Sequence, residues 1–128
     1  MTILYADDDR EDLDFFSEML KIVDPEAACI HAKDGVEALE ILSNLLLIPD
    51  YIFLDINMPI MDGKTCLKEI RKDSRFNDVP VVIYTTSSDP KEKAACLKLG
   101  ATAFLFKPTT TETGVVSLSN FFTKKEGM

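Results

Sequence analysis

The stretch Tyr51-Ile-Phe-Leu-Asp55-Ile-Asn-Met-Pro-Ile-Met-Asp-Gly63 constrains this chain more than any other. Four apolar residues lead into one carboxylate, and then the chain turns. Continuous rather than alternating apolarity predicts a strand over 51–54 that is buried on both faces. Pro59 and the Asp62-Gly63 pair are turn signals. Asp55 is therefore expected at the carboxyl end of a central strand, facing a loop. In open parallel sheets that edge is where ligands bind. A lone carboxylate there is costly unless something pairs with it. Its partner must come from elsewhere in the chain.

Short apolar runs and amphipathic stretches alternate along the sequence. Thr2 to Ala6 reads as a strand, followed at once by Asp7-Asp8-Asp9. Leu13, Phe16, Leu20 and Val23 have helical spacing, and Asp24-Pro25 ends that helix. Ala28 to Ala32 is a second strand. Asp34 and Glu37 form a capping-box-like start for a helix with Val36, Leu39 and Leu42 on its inner side. After Gly63, Leu67 and Ile70 mark a short helix. Val79 to Tyr84 is a fourth strand, with Pro80 tolerated at its start. Ser87-Ser88-Asp89-Pro90 starts a helix that runs to about Leu99 and stops at Gly100. Ala103 to Phe106 is a fifth strand, followed by Lys107-Pro108. Thr109 with Glu112 is expected to cap a last helix whose inner residues are Val115, Leu118 and Phe122. Gly114 inside it costs about 1 kcal/mol relative to alanine and is expected to shorten or bend it.

Strand and helix thus alternate five times, which predicts an α/β fold: a doubly wound, five-stranded parallel sheet covered on both faces. The expected strand order is 2-1-3-4-5, already known for flavodoxin-like (βα)5 folds and applied here by analogy. The 128 residues fit one domain, 1–128. A net charge of −8 leaves no basic face for nucleic acid. No apolar run reaches the length of a membrane span and no signal peptide opens the chain, so a cytoplasmic location is expected. Cys29, Cys66 and Cys96 form no CxxC pair and read as small apolar fillers. His31, the single histidine, lies on a probable strand without a partner near it in sequence.

The order brings four strand ends to one rim. The first strand delivers Asp7, Asp8 and Asp9, the third Asp55, the fourth Thr85 and Thr86, the fifth Lys107. Clustered carboxylates repel unless a cation joins them. Oxygen ligands without nearby histidine or cysteine suit Mg²⁺. Lys107 can pair with Asp55, Thr85 can donate to an oxygen placed on Asp55, and the main-chain carbonyl of Asn57 can complete a metal shell. These are the parts of a phosphoryl-acceptor site. Taken singly they have plainer readings: the three aspartates as acids at a helix start, Phe104 as an ordinary core aromatic.

Over essentially its whole length the sequence resembles a response-regulator receiver domain of the CheY-like family. The matching pieces are Asp7-Asp8 after the first strand, Asp55 within Asp-Ile-Asn-Met-Pro-Ile-Met-Asp-Gly, Thr85, and Lys107-Pro108. The intervals from Asp55, 30 residues to Thr85 and 52 to Lys107, also fit. The resemblance implies a two-component phosphorelay protein. Asp55 would accept a phosphoryl group from a sensor histidine kinase, a phosphotransfer protein or a small phosphodonor. Asp8 would bind Mg²⁺ directly and Asp7 through water, with the Asn57 carbonyl completing the set. Thr85 and Lys107 would grip phosphoryl oxygens. Phe104 would turn inward as Thr85 moves, switching a surface for a downstream protein around Lys98, Phe104 and Thr110. Asn57 and Ser87 occupy positions that tune phosphate lifetime. The role of Asp9 stays open, and Thr86 fills a slot often held by a smaller residue. With no residues left for an output domain, a stand-alone receiver, monomer or weak dimer and not an enzyme, is expected.

Other classes remain. A Mg²⁺-dependent aspartyl-phosphate phosphatase needs a second acid. In haloacid-dehalogenase-like hydrolases it lies two residues after the nucleophile, where this chain has Asn57. A flavodoxin-like nucleotide binder needs small or hydroxyl residues in the first strand-to-helix turn, where this chain has three aspartates. A receiver-like module that docks partners without being phosphorylated differs only by assay.

Overall fold

The computed structural model describes residues 1–44, 46 and 48–126. The expected domain of 1–128 also takes in positions 45, 47, 127 and 128, which lie outside the described residues. Five parallel strands, β1 (Thr2–Ala6), β2 (Ala28–Ala32), β3 (Tyr51–Leu54), β4 (Val81–Thr85) and β5 (Ala103–Phe106), alternate with five helices. The helices are α1 (Arg10–Val23), α2 (Gly35–Asn44), α3 (Gly63–Lys72), α4 (Pro90–Lys98) and α5 (Thr111–Glu126). The strand order is β2-β1-β3-β4-β5, as expected from the pattern. β1 and β3 pair with Ala6 opposite Leu54, so both chains leave the sheet at the same level. β3 is buried at all four positions.

Each face of the sheet has its own core. Leu4, Ile52, Leu54, Val81 and Ile83 meet the inner sides of α2, α3 and α4. Ile3, Tyr5, Phe53, Val82 and Tyr84 meet α1 and α5 through Leu13, Phe16, Met19, Leu20, Leu118 and Phe122. Burying one such side chain fully is worth about 1.5–3 kcal/mol.

Several local expectations need correction. β4 begins at Val81 rather than Val79. Pro80 has no N–H for the ladder, yet its carbonyl accepts from Ile52 N–H at 3.0 Å. The Val79 carbonyl is taken by the Arg71 guanidinium. A single 3₁₀ turn, Ser74–Phe76, tucks Phe76 under the sheet ahead of β4. In α2 the buried positions are Gly35, Ala38 and Leu42, while Val36 and Leu39 are half-buried. Its cap works one residue apart from the expected box: Asp34 accepts from Glu37 N–H, and Glu37 accepts from Lys33 N–H.

At α5, Thr110 rather than Thr109 takes the cap role, its Oγ1 accepting from Thr113 N–H at 3.2 Å. Gly114 does not interrupt that helix, which runs unbroken over Thr111–Glu126. A Cβ there would collide with Met19 Sδ of α1, so glycine lets the two helices close on each other.

Candidate functional site

Two turns bring the acids of β1 and β3 together. After Ala6, the Asp7 N–H donates to Ala32 of β2 and the Asp55 N–H donates to Ala6 of β1, both at 3.0 Å. The backbone ladder therefore carries on one residue past each strand and fixes both carboxylates in place. Beyond Asp55 the chain folds back so tightly that Gly63 N–H donates to the Ile56 carbonyl at 2.8 Å. A Cβ on Gly63 would collide with the Asp55 carbonyl oxygen. The Asp62-Gly63 turn signal thus reflects a close backbone approach next to the site.

Asp7 is fully buried, yet both of its oxygens are satisfied. Oδ1 accepts from the Asp9 N–H at 3.0 Å. Oδ2 accepts from the Tyr5 hydroxyl and lies 2.6 Å from Lys107 Nζ. Asp55, 7 % exposed, places Oδ2 3.1 Å from Lys107 Nζ and turns Oδ1 to the Ile56 N–H at 2.8 Å. Lys107 is held in turn by its backbone N–H, which donates to the Thr85 carbonyl at 2.9 Å.

Electrostatics follow from that packing. Burial raises the Asp55 pKa, and the Asp7 charge adds to the rise, against the opposing pull of Lys107. Burial works against the Lys107 charge. Hydrogen bonds to Asp12 and Asp7, with the charge of Asp55, outweigh it and hold the ammonium above the ordinary lysine range. Burial also raises Tyr5, reinforced by the Asp7 charge, so its hydroxyl stays a donor.

Asp7, Asp8 and Asp55 each offer an oxygen, all within 4.8 Å of one another. Asp8 is exposed and open to solvent on this rim. An all-oxygen set with two buried acids and one solvated acid fits a small hard cation that keeps some of its water. Asn57 and Ser87 line a depression of about 290 Å³ beside the acids, together with Ile56, Asp62, Lys64 and Glu92. Lys64 and Glu92 bridge α3 to α4 across it at 3.0 Å.

The remaining residues are placed as follows. Thr85 is buried at the end of β4, its Oγ1 accepting from Ser87 N–H at 3.2 Å. Thr86 is exposed. Asp9 caps α1, accepting from Glu11 and Asp12 N–H groups, which gives it a structural part at the helix start. Lys98 and Thr110 are exposed, but Phe104 is not. Phe104 is 9 % exposed and packs into the α2–α4 side of the core. Its neighbour Phe106, 5.7 Å away ring to ring and half exposed, presents the aromatic surface instead. The cause is the strand's alternation, which sends residues 104 and 106 to the same face but leaves 106 beyond the helices. His31 pairs with Ser17 at 2.7 Å. Cys66 and Cys96 are buried, Cys29 is half-buried, and all three are unbridged; burial pushes the Cys66 thiol up to about 12.

One participant was not foreseen. Asp12, in the first turn of α1, places Oδ2 2.8 Å from Lys107 Nζ. The sequence marks Asp12 only as an acid at the top of the apolar stripe, four and seven residues before Phe16 and Met19, and carries no signal for its contact with Lys107.

A doubly wound sheet of this order, with acids, a hydroxyl and a lysine on one rim, is the layout of a signalling receiver. The family model described as the response regulator receiver domain matches residues 3–118, and the chain belongs to that family. The chain is 33% identical over 110 residues to the sensor histidine kinase CheAY of Helicobacter pylori, covering 86% of this chain and 13% of that protein. It is 37% identical over 106 residues to the transcriptional regulatory protein PrrA of Mycobacterium tuberculosis, covering 83% and 43%. It thus spans less than half the length of these curated relatives. Among solved structures, chemotaxis response regulator CheY4 of Vibrio cholerae superposes with a TM-score of 0.80 at 31% identity, covering 93% of this chain and 96% of that one. The Mn(2+)-bound form of response regulator Rcp1 gives 0.81 at 26% identity, with 94% and 90% covered. The chain is therefore a CheY-like receiver domain of the two-component type. Among the described residues, no helix is long and apolar enough to cross a membrane.

Proposed function

We propose that this receiver is a Mg²⁺-dependent phosphoryl acceptor and that Asp55 is the residue modified. The observation that carries the reading is a single ammonium, Lys107 Nζ, 3.1 Å from the Asp55 carboxylate, beside three acid oxygens within 4.8 Å of one another. The cation would be held by Asp8, Asp55 and the Asn57 main-chain carbonyl, with Asp7 acting through water. When bound, Mg²⁺ would neutralise charge on the incoming phosphoryl oxygens.

A carboxylate oxygen of Asp55 attacks phosphorus, and the bond from phosphorus to the donor breaks. The donor, a phosphohistidine on a sensor kinase or phosphotransfer protein, or a small acyl phosphate, leaves with the bonding electrons. Lys107 and the Thr85 hydroxyl then bind the new oxygens. Thr85 Oγ1 accepts from the Ser87 N–H and keeps its own proton to donate to a phosphoryl oxygen, which couples Asp55 to the start of α4. Phe104, packed under the same strands, is the side chain proposed to respond. The outcome is a changed surface for a downstream protein rather than turnover of a substrate. The Rcp1 structure contains a divalent ion in a related fold, which supports the metal assignment by analogy. Asn57, two residues after Asp55, offers no acid for a phosphatase mechanism.

The test is incubation with Mg²⁺ and acetyl phosphate. Intact mass is expected to rise by one phosphoryl group, and Asp55→Asn to abolish the rise. A wild type that takes no label and shows no affinity for Mg²⁺ would replace this reading with a docking module that is not phosphorylated.

A further inference from the structure

Lys107 has three ammonium protons and three carboxylate partners. Asp7 lies at 2.6 Å, Asp12 at 2.8 Å and Asp55 at 3.1 Å. The donor set is therefore fully spent, and a phosphoryl oxygen can be bound only if one partner gives way. Asp7 is tied by the Tyr5 hydroxyl and the Asp9 N–H and is fully buried. Among the described residues, only Lys107 is hydrogen-bonded to the Asp12 carboxylate, and a third of the Asp12 side chain is exposed. Its contact is nevertheless shorter than that of Asp55. It pulls the ammonium towards α1 and away from the acid proposed to react.

We propose that Asp12 is a positioning residue: it competes with Asp55 for the Lys107 ammonium and keeps the Asp55 contact the longest of the three, so that the carboxylate stays available to a cation and a phosphoryl group. This rests on the phosphoryl-acceptor reading for its purpose, though not for its geometry. The role is particular to position 12. Glu11 and Asp14 on the same helix are exposed, and Asp14 faces Arg10 at 3.5 Å. In Asp12→Asn the lysine loses its strongest outward pull and closes on Asp7 and Asp55, where it competes with the cation.

Two measurements test it. The first is the ¹⁵N-lysine NMR signal of the Lys107 ammonium in metal-free protein. The wild type is expected to show a slowly exchanging ammonium, and Asp12→Asn a displaced or lost signal. The second is Mg²⁺ affinity by calorimetry, expected to weaken about fivefold in Asp12→Asn. Glu11→Gln removes the same charge from the same turn and is expected to leave both readouts nearly unchanged, while Asp12→Glu restores much of the affinity. Equal loss in Asp12→Asn and Glu11→Gln would reduce Asp12 to background charge and overturn the proposal, as would an unchanged Lys107 signal. A wild type that takes no phosphoryl label sinks the function reading alone, because the ammonium signal reports the Asp12 contact independently.

Discussion

The two faces of the sheet are built from different materials. On the α1–α5 face, Phe16 touches Tyr5, Phe53 and Tyr84 with ring centroids 4.7, 5.0 and 5.4 Å away. Tyr51 and Phe122 extend the cluster at 5.0 Å. Such ring pairs add about 0.5–1.5 kcal/mol each beyond burial. On the other face the core is mostly aliphatic, and α4 contributes one buried side chain, Cys96, against four from α1. Leu97 of α4 and Phe106 of β5 stay exposed. The site straddles this divide. Asp7, Asp12 and the lysine they hold belong to the firm face, whereas Thr85 and Phe104 adjoin the loosely packed α4. Elements that move are drawn from the less stable parts of a fold. The charge cluster is thus held on the more densely packed face, and the segment proposed to respond adjoins the helix that contributes fewer buried side chains.

The largest test of that contrast is a pair of truncations. Phe16→Ala should cost about 3–5 kcal/mol in chemical denaturation, because the void opens inside the ring cluster. Cys96→Ala, under α4, should cost about 1 kcal/mol. Comparable losses at the two sites would mean that the faces are equally firm and that α4 has no special freedom.

Next in size is the seam between α1 and α5. By propensity alone Gly114→Ala should gain about 1 kcal/mol. The structure reverses the sign, since the new methyl group meets Met19 Sδ and Pro108. A net loss of about 1–3 kcal/mol is expected. Much of it should vanish when the substitution is made in a Met19→Ala background, because the two positions share one space. A stabilised single variant would show that the seam has slack.

Gly114 also shows where reading the chain alone stops. Helical spacing located α5, but the spacing carries no information about which helix lies opposite. The same limit hid Asp12: the polarity pattern marks it as a solvated acid of a first turn, and only the return of the chain 95 residues later brings Lys107 to it. By contrast, Asp7, Asp55 and Thr85 were readable because each follows an apolar run buried on both sides, and such a run has only one way to end. Strand order then places their side chains without knowledge of any contact. The start of β4 was misjudged for a related reason. Val79 is buried like a strand residue, but its carbonyl serves Arg71 rather than a neighbouring strand.

The smallest expected effect concerns the carboxylate at the meeting point of the two faces. Burial lifts Asp55 above the ordinary value of 3.8, with Lys107 only partly opposing it. The folded, metal-free protein therefore binds a proton there that the unfolded chain has already released. Stability falls as pH rises through that window and stays lowered above it. Asp55→Asn removes the penalty while Lys107 keeps Asp7 and Asp12 as partners. The variant should melt above the metal-free wild type at neutral pH, and the difference between the two should shrink as pH is lowered towards the ordinary carboxylate range. Excess Mg²⁺ should raise the wild type towards the variant, since a cation bound only by the folded state stabilises it by mass action. A variant less stable than wild type at neutral pH would show that the Lys107 contact outweighs burial. The site would then be a structural ion pair of the firm face rather than a carboxylate held ready for charge to arrive.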